Sequence, residues 1–129
     1  MASKSGYARP LSPHATIYRW PLNAVLSIGH RITGVGMSIG AFLVAWWFLA
    51  ASISPDYFEF VDGLLTSIVG DLFFAGLLAA LCFHFCTGIR HLFWDAGKGF
   101  ETGAVRKSAI AGLAGAAALF ALVLLVAMD

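Results

Sequence analysis

Three stretches of the chain carry no charged side chain: residues 32–55, 72–89 and 108–128. They run to about 24, 18 and 21 positions, and roughly 20 apolar residues suffice for a helix to cross the hydrocarbon core of a bilayer. A segment in hydrocarbon has no water to satisfy its N–H and C=O groups, so it closes those bonds on itself as a helix. Composition agrees, with 12% of residues charged and 60% hydrophobic, where a soluble domain carries about 25% charge. The expected fold is an all-α membrane protein with three transmembrane helices. A net charge of +1 gives no reason to expect nucleic acid as a partner.

The first span runs from near Leu22 to about Ser52, with Trp46 and Trp47 marking its far interface. A connection over 53–71 follows, holding the acids Asp56, Glu59, Asp62 and Asp71 and no Lys or Arg. The second span starts near Asp62 or Leu72 and ends at Trp94, and a glycine-rich, net basic connection covers 95–107. The third span covers 108–128, and its small residues (Gly112 with Ala116, Ala111 with Gly115) read as a packing face. In the first span Gly36 and Gly40 form a similar small pair, which would let another helix approach closely.

All eight Lys and Arg side chains fall on the side of the N-terminus and the second connection. The excess of basic residues marks the cytoplasmic face. The N-terminus is therefore expected in the cytoplasm, with the C-terminus outside.

Residues 1–22 are polar and punctuated by Pro10, Pro13 and Pro21, which keep this arm extended. Too short to fold alone, it is expected to dock on a partner or lie along the membrane surface, and 23–129 to form the membrane domain. His14 in this arm reads as solvated or partner-facing. No cleavable secretory signal or mitochondrial transit pattern is visible, which points to a bacterial inner (plasma) membrane protein.

Chemistry concentrates in two places. On a helix His84, Gly88 and His91 fall at i, i+4 and i+7 and share one face, with a slot where Gly88 lacks a side chain. An ionisable side chain inside a span is costly and usually functional. Near the start of the first span Ser27, His30, Arg31 and Gly34 share another face, and together could hold a polar or anionic group. Successive spans are antiparallel, so the two groups meet in one leaflet, with His84 roughly 9 Å deeper than Arg90 at the helical rise. Cys82 and Cys86, one turn apart, read as free thiols packed in the core rather than a metal pair.

A deep imidazole below cationic and imidazole donors matches the polarity of haem b: an iron that takes imidazole, an apolar ring, and propionates that take Arg or His near water. A quinone pocket without haem would explain Ser27 and Arg31 but not His84. A proton relay would call for a carboxylate within a span. On these residues alone His84 could pair with His30 across one iron.

The segments Arg9-Pro-Leu-Ser-Pro-His14, Ser27-Ile-Gly-His-Arg-Ile-Thr-Gly34 and His84-Phe-Cys-Thr-Gly-Ile-Arg-His91, the last followed by Asp95, occur in that order across three spans. Together they resemble the cytochrome b (b556) family of succinate dehydrogenase subunits, the larger membrane anchor of respiratory complex II. The resemblance covers essentially the whole chain. It implies a place in a heteromeric helix bundle with the small membrane anchor subunit, below the iron–sulfur and flavoprotein subunits. It further implies that His84 is the axial haem iron ligand from this chain, the second axial histidine coming from the small anchor. His30, Arg31 and His91 would then serve the propionates or their surroundings, and Ser27 and Arg31 the ubiquinone site. Succinate oxidation would belong to the flavoprotein, so that this chain has no succinate site and contributes only to passing electrons to ubiquinone. Two other readings stay open: the same anchor working mainly as a quinol:fumarate reductase, and a cofactor-free anchor or assembly protein.

Overall fold

The computed structural model describes residues 17–128. The arm up to residue 16, with His14, lies outside the described residues. Within them the regular elements are four α-helices: α1 Leu22–Ile53, α2 Pro55–Leu65, α3 Ile68–Asp95 and α4 Thr102–Met128. α1, α3 and α4 are long and apolar enough to cross a membrane.

The contacts between helices give their directions. Asn23 meets Arg90, His30 meets Thr87, and Gly40 meets Leu77, so α1 rises as α3 falls. Arg90 meets Ser108 and Cys86 meets Gly115, so α4 is antiparallel to α3 in turn. Most side chains on these helices face outward: Ile32, Val35, Phe42, Ile68, Leu92 and Val126 are all exposed on the bundle surface. That pattern fits a solvent of lipid tails, where close packing between helices relies on small residues. Ala109 and Ala116 of α4 are buried, two turns apart.

The first connection, expected over 53–71, holds a helix of its own. Pro55 disfavours helical geometry at the residue before it, and Ser54 is extended (φ −163°, ψ 155°), which ends α1. Pro55 itself suits the first turn of a new helix, and the Ser54 hydroxyl accepts the Tyr57 N–H at 3.2 Å. Asp56 in that turn complements the helix dipole. The resulting helix, α2, folds back on the end of α1. Trp46 donates to the Tyr57 hydroxyl (2.8 Å), Trp47 donates to Asp62 (2.9 Å), and Val61 is fully buried. The two tryptophans thus mark the far end of α1 by holding a short amphipathic helix against it. Ser67 then caps α3 by accepting the Gly70 N–H.

α3 ends in a left-handed turn at Gly97 (φ 72°), where Lys98 N–H bonds the Phe93 carbonyl and Gly97 N–H bonds that of Trp94. α4 begins six residues ahead of the expected 108, because Arg106 and Lys107 continue the helix beyond its uncharged run. Charge marks where a helix leaves hydrocarbon, not where it stops. Of the expected glycine pair in α1, Gly40 is the one that meets a helix of this chain: a side chain there would run into Leu77, whereas one at Gly36 would meet nothing of the chain within 4 Å.

Candidate functional site

His30 from α1 and His84 and His91 from α3 form a column of three imidazoles. The His30 ring stacks on His84 with centroids 3.7 Å apart and planes at 15°, and on His91 at 4.7 Å and 29°. The close approach of α1 to α3 depends on Gly34, where a Cβ would lie 3.0 Å from His84 Cε1. Gly88 contributes less: a Cβ there would stand at an ordinary 3.6 Å from His30 Cε1.

The Nδ1 atom of each ring is held. His84 Nδ1 lies 3.0 Å from the His30 carbonyl oxygen, which can only accept, so this nitrogen carries the proton. Thr33 Oγ1 sits 3.2 Å from the same nitrogen while its own hydroxyl donates to the Gly29 carbonyl. His91 Nδ1 donates to the Thr87 carbonyl at 2.7 Å. His30 Nδ1 lies 2.7 Å from Thr87 Oγ1, whose hydroxyl is engaged with the Phe83 carbonyl. In each ring the hydrogen bonds leave Nε2 uncommitted. A ligating histidine generally donates its other ring N–H to a carbonyl or carboxylate, which fixes tautomer and orientation. His84 meets that condition.

The rings border an open cleft of about 440 Å³, whose remaining lining includes Phe85, Gly88, Ile89 and Leu92. An imidazole nitrogen beside an apolar wall, with two further imidazoles alongside, is a donor set that fits haem b. The alternative of His30 and His84 gripping one iron from opposite sides does not fit. Two imidazoles that ligate one iron from opposite sides would point their nitrogens at each other across it, whereas these rings lie face to face with centroids 3.7 Å apart.

Ser27 and Arg31 lie one turn apart on α1, at the end of the bundle where His91 sits; Ser27 is half-buried and Arg31 exposed. The polar contacts of the imidazoles run to Thr33, Thr87 and backbone carbonyls, and Arg31 is not among them.

Thr33 and Thr87 escaped the sequence reading. Thr87 is 1% exposed and bridges His30 to α3, and Thr33 braces His84. Their signal was present: a threonine one turn from a histidine inside an apolar helix must place its hydroxyl somewhere. Arg90 also departs from expectation. Instead of standing among the donors above His84, it turns away from the histidines toward α4. It is 5% exposed and bonds Ser108 Oγ (3.0 Å), Asn23 Oδ1 (2.6 Å) and the Val105 carbonyl (3.2 Å). Cys82 and Cys86 are free, as expected, and Cys86 faces Gly115 of α4.

Comparison with known proteins gives a consistent answer. A family model described as the succinate dehydrogenase/fumarate reductase transmembrane subunit matches residues 5–123. The succinate dehydrogenase cytochrome b556 subunit of Paracoccus denitrificans is 43% identical over 126 residues, 98% of this chain and 97% of that protein. Its namesake in Rickettsia felis is 38% identical over 97 residues, 75% of each chain. The mitochondrial cytochrome b560 subunit of Sus scrofa is 40% identical over 110 residues, 81% of this chain and 63% of that one.

Proposed function

The chain belongs to the succinate dehydrogenase/fumarate reductase transmembrane subunit family, and on that premise we propose that it is the haem b- and ubiquinone-binding anchor of succinate:ubiquinone oxidoreductase. In this reading it sits in a bacterial inner membrane with its N-terminus in the cytoplasm. It is the larger of two anchors, joined by the small anchor subunit and carrying the iron–sulfur and flavoprotein subunits. The arm over 1–22 docks on those partners and 23–129 forms the membrane domain.

His84 is the axial ligand from this chain. The observation that carries the assignment is the engagement of its Nδ1 by the His30 carbonyl and Thr33, which presents Nε2 for metal. His30 and His91, stacked in the same column with Nε2 uncommitted, hold the propionates together with Arg31. The second axial histidine comes from the small anchor, as the resemblance to the family implies. Haem b, when bound, supplies a one-electron redox centre inside the membrane.

Ser27 and Arg31 bind ubiquinone. A hydroxyl and a guanidinium one turn apart can both donate to a quinone carbonyl oxygen, and such donors bind more strongly as that oxygen gains charge. Electrons arrive from the iron–sulfur subunit, and ubiquinone takes two of them with two protons to become ubiquinol. Succinate itself is handled elsewhere in the complex.

A dithionite-minus-oxidised absorption spectrum of the purified four-subunit complex tests the reading. A sharp α-band of low-spin b-type haem is expected. Its absence would leave only a cofactor-free anchor.

A further inference from the structure

The face of α3 turned from the histidines borders two grooves against α4 and the loop before it. The upper one, about 220 Å³, is lined by Arg90, Phe93, Trp94, Lys98 and Ser108 among others. The lower one, about 270 Å³, is lined by Cys86, Ile89, Arg90, Phe93, Ser108 and Ala111 among others. They share Arg90, Phe93 and Ser108 and so adjoin along the helices, both open at the bundle surface; together they are called the channel. Its upper end is cationic and bordered by an indole, as at a membrane interface. Its lower end is apolar and open, with Phe93 59% exposed. A side chain at Gly112, also in its wall, would meet nothing within 4 Å.

Arg90 is the second observation. It is 5% exposed, yet its bonds from Nε and Nη2 go only to neutral partners: Ser108, Asn23 and the Val105 carbonyl. Neither Asp95 nor Glu101, the acids nearest to it in sequence, is among them. A cation at this depth with no counter-charge is expensive. Nη1 takes no part in those bonds, and Arg90 lines both grooves. Exposed Lys98 adds a second cation there.

We propose that this channel binds an anionic diacyl phospholipid, its phosphate beside Arg90 and Lys98 and an acyl chain laid past Phe93, Ile89 and Gly112. Phosphate supplies the missing counter-charge, and basic pockets between membrane helices hold anionic head groups in this way. The apolar continuation along the helix axes is what selects a lipid over a free anion.

The test uses the purified complex in nanodiscs of mixed phosphatidylglycerol and phosphatidylcholine, one of the two carrying a photoactivatable diazirine on an acyl chain. Adducts are mapped by mass spectrometry, and the haem spectrum reports folding of each variant. Labelling within 86–93 and 108–112 is expected to favour phosphatidylglycerol. Lys98→Gln should cut that preference about fivefold, the worth of one basic residue near the surface. Gly112→Leu should abolish labelling at the channel by both lipids while leaving labelling elsewhere on the complex unchanged. Equal labelling by the two lipids, or indifference to both substitutions, would overturn the proposal. Lack of adducts in the channel from either lipid would likewise overturn it. Competition by excess inorganic phosphate as effective as by unlabelled lipid would show a bare anion site instead.

Discussion

Arg90 Nη2 on α3 lies 2.6 Å from Asn23 Oδ1 on α1, and Asn23 stands one turn ahead of Ser27. The same guanidinium bonds Ser108 and the Val105 carbonyl on α4 and packs 4.0 Å from the centroid of the Trp94 ring. One side chain therefore sets the register of all three spanning helices at the end where the imidazoles gather. The column of His84, His30 and His91 needs that register, because its stacking and the bond from His84 to the His30 carbonyl lie across the α1–α3 seam.

Arg90→Met should loosen the bundle. Hydrogen bonds from a charged group are each worth about 1.5–3 kcal/mol, but removing a buried charge also relieves its desolvation, so a net loss of roughly 3 kcal/mol in assembled stability is expected. Arg90→Lys should fall between, keeping the charge while losing the planar fork that reaches α1 and α4 together. Haem release on heating the detergent-solubilised complex gives the measurement. An unchanged midpoint in Arg90→Met would mean the partner subunits alone hold the register.

Orientation is checked with an insertion reporter active only outside the cytoplasm. The turn at Thr66 and Ser67, between α2 and α3, is the acidic end and should give activity. Lys98, between α3 and α4, lies at the basic end and should give none. Activity at Lys98 would invert the topology and place the imidazole column at the outer face.

Much of this arrangement was legible in sequence because lipid imposes it. The uncharged runs located the spans, and helical spacing put His84 with His91 and Ser27 with Arg31 on single faces. α2 was not read, because an 11-residue amphipathic helix lacks an uncharged run. Its cues were local: Pro55 after Ser54, and an Asp in the first turn. The direction of Arg90 was hidden for another reason. Spacing from His84 gives its angle on the helix, but only α4 supplies the Ser108 and Val105 acceptors that draw it to the opposite side. Thr33 and Thr87 were passed over because a lone hydroxyl in an apolar helix usually bonds its own backbone. Both do so here while also bracing a histidine.

Substitutions at His84 and at the cysteines should separate cleanly. His84→Ala removes the nitrogen assigned to iron, so the low-spin haem spectrum should be lost or shifted. Cys82→Ala and Cys86→Ala should leave it nearly unchanged, since Cys82 is 2% exposed and Cys86 faces Gly115 on α4, away from the imidazoles. An unaltered spectrum in His84→Ala would transfer the ligand role to His30 or His91, whose Nε2 atoms are equally uncommitted.

The quinone assignment makes the sharpest demand. Ser27 and Arg31 share one face of α1, with His30 of the imidazole column between them in sequence. If both donate to a quinone carbonyl, removing either should slow ubiquinone reduction while succinate oxidation by an artificial acceptor upstream continues. Loss of one donor aimed at developing charge raises a barrier by about 2.7–4 kcal/mol, a rate loss on the order of a hundredfold. The competing role for Arg31 is to anchor the start of α1 among lipid head groups, which its exposure would also allow. Lysine snorkels as well as arginine, so under that role Arg31→Lys would be silent. Under the quinone role it should be impaired, because an ammonium cannot present a planar pair of donors. Ser27→Ala completes the comparison, since a methyl can neither anchor nor donate. Full ubiquinone reductase activity in assembled Ser27→Ala and Arg31→Lys complexes would remove both residues from the quinone site and leave Arg31 as an anchor or propionate partner.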